Sequence, residues 1–444
     1  MNITAAKNKK RTLTNFFSLS LLQIGNYVLP MITLPIISRI IGPENYGLIN
    51  YAFAFVGYFV LLINAGFDIY GSRLVTQHRE DADKINRVFS SITLAKGFLL
   101  LVASALFACT LLFIPQLRGE KLMTLFTFII CIGWVINPSW LYHGLQDSKK
   151  YAVFSFVSKL LFSFFVVWIV QERNDYLYHP LITSLAHLLV SAVSFYYALR
   201  KYKLSWVSVS WSEIKETLNQ NRKLSLIWWI TNGALSTNIV LAGFYLSTLQ
   251  IGYFSAALRI IIIIQSIIAM PLNTVLFPYI GDAFLKGYET GMERVHKTFP
   301  YLIWIAVGMS ITTFLFAKQI IIGFYGKEFA EAVPLLRVFA GVLFFSTINS
   351  AFGQQVLLNL KRDSHYMKLV LCGFALNLVF LFLFIYLKGM SGAAWAWPAS
   401  EVILFMVYFF YFRTHRIRVF KVGYYKPSFL WTNLFLMLRL RASK

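Results

Sequence analysis

Charged side chains inside long apolar stretches are the residues of this sequence best placed to do chemistry. Of the 18 Asp and Glu residues, only Glu401 lies near the middle of such a stretch. Lys96, Lys159 and Arg259 lie inside other apolar stretches, and Arg39 lies at the end of the first. A charge at the centre of a membrane costs roughly 2.5 to 3.5 kcal/mol on insertion scales. Each is therefore a functional hypothesis, with snorkelling of the side chain to the membrane surface as the alternative.

The signs of these charges favour an anionic substrate. Arg and Lys donate charge-assisted hydrogen bonds to phosphate, whereas a purely cationic drug would be repelled by them. Glu401 has two interpretations. Its carboxyl either changes its protonation state during a transport cycle, or forms a fixed ion pair with a basic residue of a neighbouring helix.

Polar residues recur at helical spacing around several of these charges. Three sets each fall on one face of a predicted helix: Ser255, Arg259, Ser266 and Asn273; Ser155, Lys159 and Ser163; and Gln23, Asn26, Pro30 and Thr33. Pro30 and Pro35 also predict a bent or broken first helix. Because lipid offers no hydrogen-bond partners, the polar faces indicate either a hydrated cavity or packing between helices.

The elements that position these residues are membrane-spanning helices. Long apolar runs with few charges predict twelve of them, so the fold class is all-α and the protein is polytopic. The predicted cores are 15–38, 48–66, 88–114, 122–140, 152–170, 181–199, 224–247, 253–277, 298–322, 335–358, 369–387 and 393–412.

The distribution of the 41 Lys and Arg predicts the orientation of the helices. With both termini in the cytoplasm, 30 of them fall in cytoplasmic segments and 5 on the opposite side, as the positive-inside rule requires. The predicted organisation has four parts: an N-terminal six-helix bundle (1–199), an amphipathic cytoplasmic linker (200–223), a C-terminal six-helix bundle (224–412) and a basic cytoplasmic tail (413–444). The two bundles are expected to surround a central cavity. In the tail, the apolar run 429–438 is too short to span and is expected to lie in the membrane interface.

Composition excludes several classes of protein. A chain that is 58% hydrophobic and 13% charged is too apolar to be a water-soluble protein of this length. The net charge of +23 sits in short segments beside the spans, where it contacts anionic lipid, so nucleic acid is not an expected partner. Cys109, Cys131 and Cys372 lie inside spans and predict neither a disulfide framework nor a metal site. ATP-binding, zinc-protease and nucleophile-elbow motifs are absent from the sequence, so no catalytic residue is predicted.

Several short motifs resemble those of one family. The stretch LPIISRIIGPENYG at 34–47, followed by GFDIYGSR at 66–73, resembles the opening of bacterial polysaccharide flippases of the Wzx type. These belong to the multidrug/oligosaccharidyl-lipid/polysaccharide exporter superfamily. The motifs LFP at 276–278, GKEF at 326–329 and GAA at 392–394 are similar to that family too.

The resemblance implies a specific activity. Such a protein would carry an undecaprenyl-diphosphate-linked oligosaccharide, for example an O-antigen unit, to the outer leaflet of the bacterial inner membrane by alternating access. No cofactor is implied beyond H⁺ or Na⁺ as candidate coupling ions, with Glu401 as the coupling residue and Pro30 and Pro35 as the hinge. A polysaccharide polymerase and a chain-length regulator are candidate protein partners. The expected substrate contacts are Arg259, Lys159, Lys96, Arg39, Gln23, Asn26 and Asn273, with Arg39 partly structural.

Two other functions stay open at this point. A polysaccharide polymerase or ligase of the same pathway would usually present a large external loop with catalytic Arg or His, and the predicted outer loops are short. A multidrug exporter of the same superfamily is disfavoured by the cations within the spans. A scaffolding role would leave the polar helix faces unexplained.

Overall fold

The computed structural model describes residues 2–113 and 119–425. Side chains are described for all of these except residues 2–24, 26–28, 227, 231, 234, 235, 270, 271 and 422. The chain forms two compact units, Met1–Gly243 and Phe244–Lys444. The predicted interfacial run 429–438 lies outside the described residues.

All the regular elements in the described part of the chain are helices. The first unit contains α1 (Asn2–Asn64), α2 (Phe67–Gln77), α3 (Ala82–Phe113), α4 (Lys121–Phe128), α5 (Ile130–Ile136), α6 (Ser139–Gly144), α7 (Ser148–Ile169), α8 (Tyr178–Lys201) and α9 (Trp211–Gly243). The second contains α10 (Thr248–Pro271), α11 (Phe277–Lys286), α12 (Tyr288–Leu315), α13 (Ala317–Tyr325), α14 (Ala332–Ser350) and α15 (Asp363–Thr414). Wider, π-helical turns at 272–276 and 351–358 extend α10 and α14.

The helices account for the twelve predicted spans. Within the described residues, nine helical stretches are long and apolar enough to cross a membrane. Two of them, of 49 and 52 residues, are long enough to cross twice. Each is divided by a glycine with non-helical angles, Gly42 (φ +75°) in α1 and Gly389 (φ +56°) in α15. Helix α9, which is not among these nine stretches, would be the twelfth span; the all-α polytopic fold is confirmed.

Two parts of the predicted organisation stay predictions: the residue at which the second bundle begins, and the hinge at Pro30 and Pro35. Helix α9 packs on α1 and α3 and is grouped with the first unit, whereas the sequence-based division starts the second bundle at residue 224. Helical angles continue through Pro30 and Pro35, and the chain turns at Gly42 instead. The first helix is therefore not broken at either proline, and their role as a hinge is untested.

Each unit has its own aromatic core. In the first, Phe67, Phe89, Trp140 and Tyr142 are fully buried. In the second, Phe352 is fully buried and packs on the rings of several neighbouring aromatic residues. Inside a membrane these contacts stabilise the helices through close packing, because lipid is as apolar as the side chains themselves.

The connection 202–210 between α8 and α9 is held against the start of α3. The backbone N–H of Ser205 donates to Asn86 Oδ1 and that of Val207 donates to Ser90 Oγ, each at 3.0 Å. These bonds satisfy backbone groups that have no helical partner. The predicted cytoplasmic linker is therefore fixed to the first unit.

The turn inside α15 requires a close backbone approach at Gly392. A Cβ atom at this position would lie 1.8 Å from the carbonyl oxygen of Phe384. We expect Gly392→Ala to destabilise the protein by about 1 to 3 kcal/mol, because backbone must shift to make room. Gly308→Ala is the matched control, since a Cβ there meets no atom within 4 Å. Thermal unfolding of both variants in one detergent checks this, and equal midpoints would contradict it.

Candidate functional site

The polar face predicted on α10 is partly exposed. Arg259 and Asn273 are exposed, and Asn273 lies in the π-helical turn that extends α10. Ser255 is buried, and its hydroxyl has no hydrogen-bond partner among the described residues. Arg259 and Asn273 are fourteen residues apart, or about 21 Å along a helix, so one phosphate cannot contact both. A ligand that contacted both side chains would have to be elongated.

The exposure of Arg259 bears on whether this helix face is hydrated. It is exposed on a helix that is otherwise apolar enough to span. An arginine at this depth is stable only beside water, another charge or a polar ligand.

Glu401 lies in a network of neutral donors in the second unit. Asn349 Nδ2 donates to its Oε2 at 2.7 Å, and Trp397 Nε1 donates to its Oε1 at 3.0 Å. Ser346 also hydrogen-bonds the carboxyl, and it accepts a hydrogen bond from Gln265 Nε2 at 2.6 Å. The network therefore joins α10, α14 and α15 through one partly buried carboxyl.

These contacts bear on the two interpretations of Glu401. The described part of the chain places no basic side chain on its carboxyl, and the partners it does have are uncharged. The fixed ion pair expected as one alternative thus has no partner among these residues. A carboxyl held only by neutral donors can gain or lose a proton without leaving a buried cation unpaired.

Lys96 is enclosed within the first unit. Its side chain is 1% exposed, and its Nζ donates to the carbonyl oxygen of Trp134 at 3.3 Å. The carboxylate of Asp68 interacts electrostatically with this ammonium. Asp68 in turn accepts hydrogen bonds from Asn64 Nδ2 at 2.8 Å and from the Ser139 hydroxyl. The residue expected to contact substrate is therefore part of a buried polar cluster in this state.

Sequence reasoning missed most of this cluster. Span 2 is predicted to end at residue 66, close to the end of α1 at Asn64, so Asp68 at the start of α2 was not predicted as a partner of Lys96. Tyr151 completes the cluster through hydrogen bonds with Asn137 and Ser139. The Asn137-Pro138 pair is the feature of the sequence that could have indicated this cluster. A residue before proline avoids helical angles, so α5 ends at Ile136 and Asn137 lies outside the helix.

The remaining predicted contacts lie on α1 and α7. Arg39 is exposed, and Lys159 is partly buried midway along α7. Both interact with neighbouring groups. The side chains of Gln23 and Asn26 lie outside the described residues. The roles of all four in binding stay predictions.

Neither a metal cluster nor a disulfide is present in the described part of the chain. No group of three or more His, Cys, Asp or Glu side chains there could hold a metal ion. Cys109, Cys131 and Cys372 are all free.

Comparison with known proteins places the chain in a family. The Polysaccharide biosynthesis protein family matches residues 12–284. The Putative O-antigen transporter of Escherichia coli (strain K12) is 22% identical over 417 residues, which cover 93% of this chain and 99% of that protein.

Two solved structures share the fold. The inward closed conformation of the lipid II flippase MurJ has a TM-score of 0.70 at 15% identity and covers 96% of this chain and 93% of its own. An inward-facing multidrug resistance MATE family transporter of the MOP superfamily has a TM-score of 0.63 at 15% identity and covers 89% and 95%. The chain thus belongs to the Polysaccharide biosynthesis protein family and is a multi-pass membrane protein that shares its fold with these two transporters.

Proposed function

We propose that this protein is a flippase that moves an undecaprenyl-diphosphate-linked oligosaccharide across the bacterial inner membrane by alternating access. The names of its relatives support this substrate class, since one is an O-antigen transporter and a structural neighbour is a lipid II flippase. Both termini lie in the cytoplasm in this proposal, as the charge distribution predicts. A polysaccharide polymerase and a chain-length regulator are its proposed protein partners.

The exposed Arg259 inside a spanning helix is the observation that carries the proposal. A guanidinium can form two parallel hydrogen bonds with a diphosphate oxygen pair, and these are stronger where little water competes. Asn273, further along the same helix, is the proposed contact for the glycan. Lys159 and Arg39 are the proposed further cationic contacts in the first unit.

Glu401 is the proposed coupling residue. Uptake of a proton, or of Na⁺, would change the charge at the point where Asn349 and Trp397 meet the carboxyl. Because the network joins three helices, such a change would alter their relative stability in two states. An ion gradient could then drive the cycle.

Reconstitution tests the proposed function directly. Purified protein is placed in vesicles containing a fluorescent undecaprenyl-diphosphate oligosaccharide, and an impermeant reductant bleaches the label in the outer leaflet. We expect faster loss of the inner-leaflet signal than in protein-free vesicles. Unchanged signal together with efflux of a cationic dye would support a multidrug exporter instead.

In the source bacterium, deletion of the gene should trap intact lipid-linked units on the cytoplasmic side. Units that reach the periplasm but stay unpolymerised would point to a polymerase.

Arg259→Gln is expected to slow flipping about tenfold or more. A charge-assisted hydrogen bond contributes about 1.5 to 3 kcal/mol, and the shorter amide of glutamine is polar but carries no charge. Arg259→Lys should retain part of the rate, because the charge remains and the paired donors do not. Lys388→Gln is the control, since Lys388 is exposed at the predicted outer surface. Equal rates in the two Gln variants would remove Arg259 from the binding site.

A further inference from the structure

A groove runs between α1 and α7 in the first unit, along parts of both helices that are apolar enough to span the membrane. Its volume is about 540 Å³. We propose that this groove binds the polyprenyl tail of the lipid-linked substrate, an inference that rests on the function proposed above. Its lining comprises Leu29, Ile32, Thr33 and Ile36 of α1, and Leu160, Ser163, Phe164, Val167, Trp168 and Gln171 on and just after α7.

The chemistry of the groove suits an apolar chain. Most of the lining is aliphatic or aromatic, and Ile32, Phe164 and Trp168 are 58%, 63% and 68% exposed. The Thr33 hydroxyl lies 2.8 Å from both the Leu29 carbonyl oxygen and the Ser163 hydroxyl. These hydroxyls satisfy one another, so a hydrocarbon chain would leave neither without a partner.

The polar residue at the end of the groove is satisfied as well. Gln171 Nε2 donates to the carbonyl oxygen of Val167 at 2.6 Å. Trp168, beside it, is a residue type enriched at the membrane surface. From Leu160 to Gln171 the groove extends about 16 Å along the helix axis, roughly half of the ~30 Å hydrocarbon core. With the N-terminus in the cytoplasm, as the charge distribution predicts, this length corresponds to about one leaflet, from mid-membrane to the outer interface.

The inner end of the groove favours a polyprenyl diphosphate over an ordinary phospholipid. Lys159 immediately precedes Leu160 and lies one turn before Ser163 on the same side of α7. This cation is midway along the 22-residue helix. Phospholipid headgroups stay at the surface, so an acyl chain in the groove brings no phosphate to this depth. A diphosphate carried through the protein would bring phosphate to the depth of Lys159, and its polyprenyl tail would extend from there into the groove.

Filling the groove tests the proposal. We expect Leu160→Trp and Ile36→Trp each to slow flipping about tenfold in reconstituted vesicles, the effect of losing the burial of about two methylene groups. Leu185→Trp is the matched control, because Leu185 is 47% exposed on α8, compared with 44% for Leu160 on α7. Its rate should stay within about twofold of the unmodified protein. Unchanged flipping in both groove variants would overturn the proposal and leave the flippase function intact.

Photo-crosslinking tests whether the groove binds the polyprenyl chain, even if a tryptophan variant folds poorly. Benzoylphenylalanine replaces Phe164 in one protein and Leu189, which is 57% exposed on α8, in another. Both proteins are irradiated in phospholipid vesicles containing radiolabelled undecaprenyl diphosphate without sugar. We expect several-fold more labelling at position 164. Equal labelling at the two positions would identify ordinary boundary lipid and overturn the groove proposal. Failure of the unmodified protein to flip any oligosaccharide would count against the proposed function instead, since this labelling measures binding alone.

Discussion

Replacement of Glu401 by glutamine is expected to slow gradient-driven flipping roughly 5- to 150-fold, the range that corresponds to a typical coupling free energy of 1 to 3 kcal/mol. Glutamine has nearly the same shape but cannot change its charge. The measurement is the flipping rate in vesicles with an imposed proton or sodium gradient, compared with the rate without one. Loss of the gradient-dependent part alone would mark Glu401 as the coupling group.

Glu401→Gln can also change the stability of the protein, and this effect must be separated from the loss of coupling. Asn349 and Trp397 each donate to a different carboxyl oxygen, so glutamine keeps one acceptor and loses one hydrogen bond, worth about 1 kcal/mol. Trp397→Phe removes one of these bonds and leaves the charge of Glu401 unchanged. It should lower stability by a similar amount while retaining the response to the gradient. If both variants lose transport equally, the network is structural and Glu401 does not couple.

Replacement of Lys96 by alanine should be the most destabilising of the substitutions considered. It removes a fully buried side chain and so opens a cavity, which typically costs about 2 to 5 kcal/mol, and it leaves the partly buried Asp68 carboxylate without its neighbouring cation. The unfolding midpoint in detergent is expected to fall by about 5 °C or more. Lys84→Met is the control, since Lys84 forms an exposed pair with Asp81, and such pairs contribute about 0 to 1 kcal/mol.

A double-mutant cycle distinguishes the structural role from substrate binding. Lys96→Met and Asp68→Asn should each destabilise the protein, and their combination should recover part of the loss, because neither charge is then left unpaired. If Lys96 instead contacts the diphosphate, Lys96→Met would keep a normal unfolding midpoint and lose flipping. That outcome would restore the binding role expected from the sequence.

The sequence alone determined the class of protein and the position of its charges. Spanning helices need long apolar segments whatever their neighbours are, so hydropathy located twelve of them without any tertiary information. The glycines at 42 and 389, which divide the long helices, fall in the short connections predicted between spans. Glu401 and Arg259 were identifiable because a charge in an apolar segment is costly and therefore rare.

Only the tertiary structure decided what each charge contacts. Helical spacing shows which residues share a face, but not which helix packs on that face. Lys96 and Arg259 were both predicted to contact substrate, yet one is enclosed beside Asp68 and the other is exposed. Asn349, 52 residues before Glu401, reaches its carboxyl because α14 packs on α15. The groove between α1 and α7 likewise joins residues more than 120 positions apart, a proximity that arises from helix packing rather than from local residue patterns.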